Sequence, residues 1–340
     1  MNKGYFKNKT ILITGGTGSF GQAFVNYILK NNFYFKKIII FSRDELKQFE
    51  MQKKIDKKYL KNLRFFLGDI RDKNRLRLAF QNVDLVVHAA ALKQVPAAEY
   101  NPFEFIQTNV IGAQNIIETC LDYSSKVQNV IALSTDKASS PINLYGATKL
   151  CSDKIFVTAN NIKGNKKVKF SIVRYGNVMG SRGSVLHSFL EQAKKGTIEI
   201  THKEMTRFNI ILDDAIKIVL EFFVNNHGGE ILVPKLYSFK VLDLASAVCK
   251  NCNIKYIGIR PGEKLHEEMI SINDSLNTFE MNDKYLICNE SNKEKIFKHF
   301  LKRIVIKKVD KKFSYSSEKN QFLNIEQIKK MLLQNKLIKI

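Results

Sequence analysis

A phenol and an ammonium four positions apart, Tyr145 and Lys149, head the residues of this sequence that could do chemistry. On a helix, positions i and i+4 share a face. A free phenol titrates near ~10, and a cation within a few Å favours the phenolate. Such a pair would make a general base near neutral pH. Just upstream, Thr135, Asp136 and Lys137 follow the apolar run VIAL at 130–133. Open parallel sheets bind ligands at the carboxyl ends of their strands, so an acid and an amine there are well placed to react. Taken alone, Tyr-x-x-x-Lys is as readily a surface-helix coincidence, and the surrounding elements have to decide.

Those elements read as alternating strands and helices. The run TILIT at 10–14 is a short apolar strand of the buried parallel kind. Gly15, Gly16, Thr17, Gly18, Ser19, Phe20 and Gly21 follow, and apolar residues at 24, 25, 28 and 29 then keep helical spacing. Strand, glycine-rich turn and helix are the context a dinucleotide fingerprint requires. The glycines admit a pyrophosphate close to the backbone, and the helix N-terminus takes its charge. The next strand, 37–41, ends in Ser42, Arg43, Asp44, Glu45, Leu46 and Lys47. A site selective for NAD wants an acidic group at that strand end for the ribose 2′-hydroxyl. Ser42-Arg43 with Lys47 one turn on fits a 2′-phosphate, so NADP is the expected cofactor. The plainer reading is two cations at a solvated helix start.

Strand three, 63–67, closes on Gly68, Asp69 and Ile70, with Asp69 placed to accept from an adenine amino group. Strand four, 84–88, runs into Ala89, small enough for close approach of a cofactor, and Lys93 beyond it could meet an anionic or hydroxylated ligand. His88 ends an apolar strand and reads as a core histidine more readily than as a catalyst. The helical stretch 102–123 carries Thr108 and Asn109. A buried Asn there needs a partner, either neighbouring backbone or a water near Tyr145 and Lys149. Strands five, 127–133, and six, 169–174, complete the series. Past residue 175 the alternation loosens. The loop GSRGS at 180–184 carries Arg182 and suits a diphosphate, and 205–208 and 257–264 are polar islands. The run EILV at 230–233 reads as a last strand returning to the main sheet, Leu323 to Gln327 as a capped helix start, and the closing Lys/Leu/Ile run as a surface helix.

The expected fold class is therefore α/β: a Rossmann-like doubly wound parallel sheet over 1–175, with a returning strand near 229–233, and a smaller, mainly substrate-binding lobe over 176–340. With 340 residues and 44% apolar content the chain can bury one large core, or a core plus a smaller lobe. The formal charge of +23 invites a nucleic-acid reading. The lysines, however, are scattered among asparagines, with no RNA-binding aromatic motif, zinc-ligand set or helix-turn-helix signature. A solvated basic surface that favours anionic ligands fits better, and no nucleic-acid partner is expected. Cysteines at 120, 151, 249, 252 and 288 do not look like a disulfide framework. Cys249-x-x-Cys252 lacks a second pair and reads as a helix end, so no metal is expected. No signal-peptide segment opens the sequence, and no apolar run approaches ~18 residues. A reducing cytoplasm with no membrane attachment is the expectation.

Assembled, these residues resemble the extended short-chain dehydrogenase/reductases of the nucleotide-sugar-modifying branch, on Thr14, Gly15, Gly18, Gly21, Asp69, the Asn109 helix, Tyr145 and Lys149. The blocks SRDELKQ (42–48), HAAALKQVPAAEYNP (88–102), STDKASSPINLYGATK (134–149), RYGNVMGSRGSV (174–185), HGGEILVPK (227–235) and IGIRPGEKLHEEMI (257–270) narrow it. They resemble the configuration-inverting UDP-N-acetylglucosamine 4,6-dehydratases (5-epimerases) that open the pseudaminic acid pathway. Ordinary sugar-nucleotide 4,6-dehydratases carry Asp-Glu after the Thr, where this chain has Asp136-Lys137.

The resemblance implies a sequence of roles. Tyr145, its pKa lowered by Lys149 and the nicotinamide cation, takes the 4-hydroxyl proton as hydride leaves C4 for NADP. Lys137, depressed by burial and by Lys149, removes the C5 proton, Asp136 protonates the departing 6-hydroxyl, and Thr135 bonds the 4-hydroxyl. Hydride returns to C6 and C5 is reprotonated on the opposite face, so the cofactor stays bound and is recycled. It further implies cofactor contacts at Thr17 to Phe20, Ser42 to Lys47, Asp69, Ile70, Ala89, Lys93, Thr108, Tyr145 and Lys149. UDP-sugar contacts fall at Lys93, Asn177, Val178, Arg182, Thr206, Arg260 and Glu263. Residues 271–312 match the family poorly, and a homo-oligomer, often a hexamer, is implied.

Overall fold

A computed structural model describes residues 2–291, 293–301 and 305–338. Seven strands among them run parallel: β1 (Thr10–Thr14), β2 (Lys37–Ser42), β3 (Leu63–Leu67), β4 (Leu85–His88), β5 (Asn129–Thr135), β6 (Lys169–Tyr175) and β7 (Glu230–Pro234). They lie in the order 3-2-1-4-5-6-7. Side chains alternate across a strand, and the sequence fills both faces accordingly. Ile11 and Ile13 pack with Phe24 and Ile28 of helix α1 (Ser19–Lys30), while Leu12 lies in the opposite layer with Ile116 and Ile117 of α2 (Gly112–Leu121). The strand order reverses between β1 and β4, which opens a crevice at their carboxyl ends. The expected returning strand is β7.

The stretch 271–312 also reaches the main sheet. β8 (Thr278–Glu280), β9 (Lys284–Cys288) and β10 (Lys307–Lys308) extend it antiparallel beyond β7, in the order 7-9-8-10. The lobe is smaller. Thr206–Ile210 lies between Asn177–Val178 and Ser238–Lys240, and Thr197–Ile200 pairs with Asn253–Tyr256. The expected C-terminal surface helix is instead half core. Helix Ile325–Gln334 buries Ile328 and Leu332, one turn apart, against Leu244 and Phe189, and Asn324 caps it reciprocally with Gln327. The last two residues of the closing run lie outside the described residues. The cysteine expectation also needs correction: Cys249 and Cys252 form a disulfide. Helix Val241–Val248 does end at Cys249, and the turn beyond brings the two Cα atoms to 5.5 Å, within disulfide range. Among the described residues no helix is long and apolar enough to cross a membrane.

One buried acid couples this fold to pH. Glu230, at the start of β7, has no exposed surface; its Oε1 accepts from the His227 amide and the Ser171 hydroxyl, and its Oε2 has no partner in the protein. Burial pushes its pKa up to about 7, against the opposing pull of nearby backbone amides. The folded pKa then exceeds the unfolded one, so the unfolded chain ionises first as pH rises. The contribution of Glu230 to stability is full below about pH 4.5 and is lost toward pH 7, by about 3 kcal/mol. Urea denaturation of wild type and Glu230→Gln at pH 5 and pH 8 should show the variant losing less between the two. Parallel losses would refute the assignment.

Candidate active site

The crevice at the carboxyl ends of the strands is a cleft of about 1030 Å³. One wall is the glycine turn. Gly15 has φ +65°, and a Cβ on it would lie 2.9 Å from the Ala90 backbone nitrogen, so glycine is required there by conformation and by space. The α1 N-terminus, with no side-chain cap on its free amides, faces the cleft beside Thr17 and Ser19. This cradle accepts a pyrophosphate. Gly21 lies behind the wall, where a Cβ would meet the Gly16 carbonyl at 2.4 Å; it lets helix pack on turn and lines no cleft.

At the β2 end, Ser42, Arg43, Asp44 and Lys47 line the cleft, with Asp69 and Ile70 from the end of β3; Glu45 and Leu46 do not. Arg43 pairs with Asp69 at 3.5 Å, and Lys47 with Asp44. Ala89, Lys93 and Thr108 complete this side. Thr108 and Asn109 sit in a wide helical turn, Gln107–Ile111, inside the long helix. Asn109 finds its partners in the neighbouring backbone: its Oδ1 accepts from the Leu92 amide and its Nδ2 donates to the Leu92 carbonyl and to Thr148 Oγ1. Thr108 Oγ1, by contrast, is buried without a partner. His88 is a core residue, hydrogen-bonded to Thr14 Oγ1 at 2.8 Å and pushed by burial down to about 3, hence neutral.

The floor carries Thr135, Asp136, Lys137, Tyr145 and Lys149. Two close approaches place them. Asn143 caps helix α3 (Leu144–Ile162) at the Gly146 amide, and a Cβ on Gly146 would lie 2.3 Å from the Lys137 carbonyl, so the turn holding Asp136 and Lys137 rests on the first turn of α3. Thr135 donates to Asp136 Oδ1 at 2.9 Å and accepts from the Lys137 amide. Lys149 donates to the Leu133 carbonyl at 2.8 Å. Burial lowers its pKa, opposed by the charge of Asp153. Asp153 itself accepts from Ser134 at 2.6 Å and from Arg174 at 3.1 Å; Arg174 reaches on to the Met269 carbonyl at 2.9 Å.

The electrostatics differ from the expectation in two places. Burial pushes the Tyr145 phenol up to about 12, although Lys137 and the Thr135 hydroxyl draw it down. Lys149 is engaged with backbone and does not bring Tyr145 into the neutral range. Lys137 is raised where depression was expected. Burial alone would lower it, but its Nζ lies 3.1 Å from Asp136 and 3.0 Å from Glu267, and the two carboxylates outweigh desolvation. Asp136 is itself raised, chiefly by burial, and its Oδ2 has no partner.

On the opposite wall Asn177, Val178 and Arg182 line the cleft, with Asn177 Oδ1 unpartnered. The Arg182 amide donates to Ser19 Oγ, and its carbonyl accepts from Lys93 at 2.9 Å, lacing the mouth. The other expected sugar contacts stand apart. Thr206 is buried, with its hydroxyl engaged by His266 Nδ1 and Ser317 Oγ at 2.8 and 2.7 Å. Arg260 is exposed, and Glu263 pairs with Arg207 at 3.6 Å. None of the three lines the cleft. Glu267 and Arg207 are the charged residues that sequence reasoning did not single out. The available signal was Arg207 between Thr206 and Phe208, and Glu267 beside a second glutamate within LHEEMI at 265–270.

Comparison with known proteins follows the same lines. The model of a family described as polysaccharide biosynthesis protein matches residues 11–289. The chain is 52% identical over 320 residues to the UDP-N-acetylglucosamine 4,6-dehydratase (inverting) of Campylobacter jejuni subsp. jejuni serotype O:23/36 (strain 81-176), covering 93% of this chain and 94% of that protein. It is 39% identical over 336 residues to the UDP-glucose 4-epimerase of Rickettsia conorii (strain ATCC VR-613 / Malish 7), covering 96% of each. Among solved structures, Pen from Bacillus thuringiensis superposes with a TM-score of 0.87 at 35% identity, covering 98% of this chain and 100% of that one.

The buried Arg174–Asp153 pair should matter to stability, because removing one partner strands the other charge. Arg174→Ala is expected to cost about 3–5 kcal/mol, read as a lower midpoint in chemical denaturation. An unshifted midpoint would show that the pair does not brace the floor.

Proposed function

The chain belongs to the polysaccharide biosynthesis protein family, on an extended short-chain dehydrogenase/reductase fold, and we propose that it is a hydro-lyase, an NADP-dependent UDP-N-acetylglucosamine 4,6-dehydratase that inverts C5. The product would be UDP-2-acetamido-2,6-dideoxy-β-L-arabino-hex-4-ulose, as the first step of a pseudaminic acid-type sugar pathway in the cytoplasm, made by a homo-oligomer. One observation carries the reading: an acid and an amine, Asp136 and Lys137, stand beside Tyr145 on the floor of a dinucleotide-shaped cleft. Elimination across C5–C6 needs a base and an acid beyond the group that takes the 4-hydroxyl proton, and a plain 4-epimerisation needs only that last group.

The cleft fits a nicotinamide dinucleotide. Gly15 and Gly18 line the turn a pyrophosphate would approach, Thr108 Oγ1 offers an unpartnered hydroxyl, and Arg43 and Lys47 line the β2 end, two cations that would suit a 2′-phosphate. When bound, that group supplies reversible hydride acceptance, oxidising C4 early and reducing C6 late. The remaining steps belong to the chain's own residues. Tyr145 takes the 4-hydroxyl proton; its raised pKa means that it becomes a base once positive charge enters the cleft beside it. Thr135 orients that hydroxyl. Lys137 passes its own proton to Asp136 across their 3.1 Å contact and, as the free amine, removes the C5 proton; Asp136, raised by burial and so able to hold a proton, gives it to the leaving 6-hydroxyl. Lys93, Asn177, Val178 and Arg182 hold the UDP portion, Arg182 and Lys93 by charge to the diphosphate.

Purified protein with UDP-N-acetylglucosamine in D₂O, followed by NMR at C5 and C6, tests the reaction. A 4-keto-6-deoxy product of L-arabino configuration with deuterium at C5 is expected. A D-xylo product or a 4-epimer would overturn the inverting assignment. Tyr145→Phe should lower kcat by about 10²–10⁴-fold, the usual worth of a positioned acid–base group, and Lys137→Ala should abolish C5 exchange.

Cofactor choice is tested separately by calorimetry. Arg43→Ala should weaken NADP binding about tenfold, the loss of one charge-assisted phosphate contact, with NAD affinity nearly unchanged. Tighter binding of NAD than NADP by the wild type would reverse the cofactor assignment.

A further inference from the structure

Behind the floor of the cleft a second carboxylate reaches the proposed base. Glu267 is buried, lines no part of the cleft, and sets Oε1 3.0 Å from Lys137 Nζ; its Oε2 has no hydrogen-bond partner. Its backbone is held in place. Its amide donates to Ser317 Oγ, its carbonyl accepts from the Ser317 amide at 2.8 Å, and Glu268–Ile270 then pairs with Tyr315–Ser316. Arg174 fixes the next carbonyl but one, that of Met269. On the upstream side Lys264 donates to the Ser139 carbonyl. The segment is stapled to the turn that carries Asp136 and Lys137.

We propose that Glu267 is a positioning residue for the elimination: a fixed buried anion that aims Lys137 at C5 and stabilises the ammonium this lysine becomes. The proposal rests on the dehydratase reading. The reacting state has one proton passed from Lys137 Nζ to Asp136 across their 3.1 Å contact, leaving an amine beside a carboxylic acid. The C5–H bond then breaks, its proton goes to Lys137 Nζ, and its electron pair becomes the C5–C6 π bond. The C6–O bond breaks with its electron pair on oxygen, which takes the Asp136 proton and leaves as water. Positive charge grows on Lys137 while Asp136 becomes an anion, and Glu267 stays ionised throughout. A buried carboxylate behind a base plays this part wherever it orients the base and stabilises the cation formed.

The surrounding charges agree with this division. Lys137 faces Asp136, Glu267, Arg207, Tyr145 and Lys93. Burial would raise Glu267, but Lys137, Arg207 and Lys264 hold it down, so it is the carboxylate that remains ionised. Arg207 Nε stands 3.8 Å from Glu267, and its Nη2 is shared with Glu263. The His266 imidazole turns the other way, to Thr206 and Glu318. Asp136, with no such second cation, is the member that takes up a proton. Two carboxylates on one ammonium thus divide the work into a permanent counter-ion and an acid.

Glu267→Gln keeps the shape and removes the charge. In the ligand-free protein the variant should become reactive at Lys137, in competitive acetylation by acetic anhydride read by peptide mass spectrometry, at least one pH unit lower than wild type. Lys137 is 24% exposed, enough for the reagent. With UDP-N-acetylglucosamine, kcat should fall about 10–100-fold with KM within threefold, and the kcat–pH profile should move to lower pH. Glu267→Asp, which keeps the charge on a shorter arm, should recover most of the acetylation shift but only part of kcat; it serves also if the Gln variant does not fold. An unmoved Lys137 acetylation curve, or kcat within twofold of wild type, would overturn the proposal. Acetylation needs no substrate, so failure of the wild type to turn over UDP-N-acetylglucosamine would sink the dehydratase reading while leaving this readout intact.

Discussion

The site depends on one ammonium held between two buried carboxylates. Removing charges from water is costly, and the cost is recovered only where geometry is close and the remaining polar atoms are met. Lys137 has the close geometry, with Asp136 and Glu267 at 3.1 and 3.0 Å, while Asp136 Oδ2 and Glu267 Oε2 stay buried without a hydrogen-bond partner. The arrangement is electrically uneven, because Arg207 supports Glu267 and nothing comparable supports Asp136. That unevenness gives two chemically identical groups different protonation habits, the general route by which one site obtains both an acid and a base.

Holding this geometry falls to backbone contacts with no room for a side chain and to a second buried ion pair. Gly146 lets the Lys137 carbonyl rest on the first turn of α3, and Gly176 leaves space against Phe208 beside Asp136. Ser134, Asp153 and Arg174 then run from the end of β5 through α3 to the Met269 carbonyl. Sheet, helix and the segment bearing Glu267 are fixed to one another by that chain of bonds. Small errors of position at a reacting centre are expensive, and here each reacting side chain is set by a rigid element.

Much of this was legible from residue types and spacing. The parallel strands are short apolar runs, the glycine turn stands between a strand and a helix, and 230–233 returns to the sheet, because local pattern and tertiary role agree there. The cleft gathers Thr135, Asp136, Lys137, Tyr145 and Lys149 as their spacing suggested. What was not legible depends on contacts distant in sequence. Glu267 meets Lys137 across more than a hundred residues, so no periodicity could mark it. The raised pKa of Lys137 follows from Asp136 beside it and from that same distant contact. Thr206 looked like a free polar group and is consumed by His266 and Ser317. The C-terminal helix seemed polar enough for the surface, yet Ile328 and Leu332, one turn apart, are buried in a cluster against which Met331 and Leu337 also pack.

The origin of the charges has a further consequence. Asp136 and Lys137 come from the end of a sheet strand, whereas Glu267 and Arg207 come from segments that also build the lobe. Neither half alone makes the charge pattern, because Lys137 without Glu267 would feel chiefly its own desolvation and Asp136. Packing of these segments against the end of the strand is therefore part of what sets the charge around Lys137. It follows that residues of the 260–270 segment can tune the base without touching the sugar, since charge acts through Lys137 and contact does not. In a fold that hosts many reactions on one sheet, such an indirect handle lets the strand-end residues stay fixed while the lobe adjusts how strongly they pull on a proton.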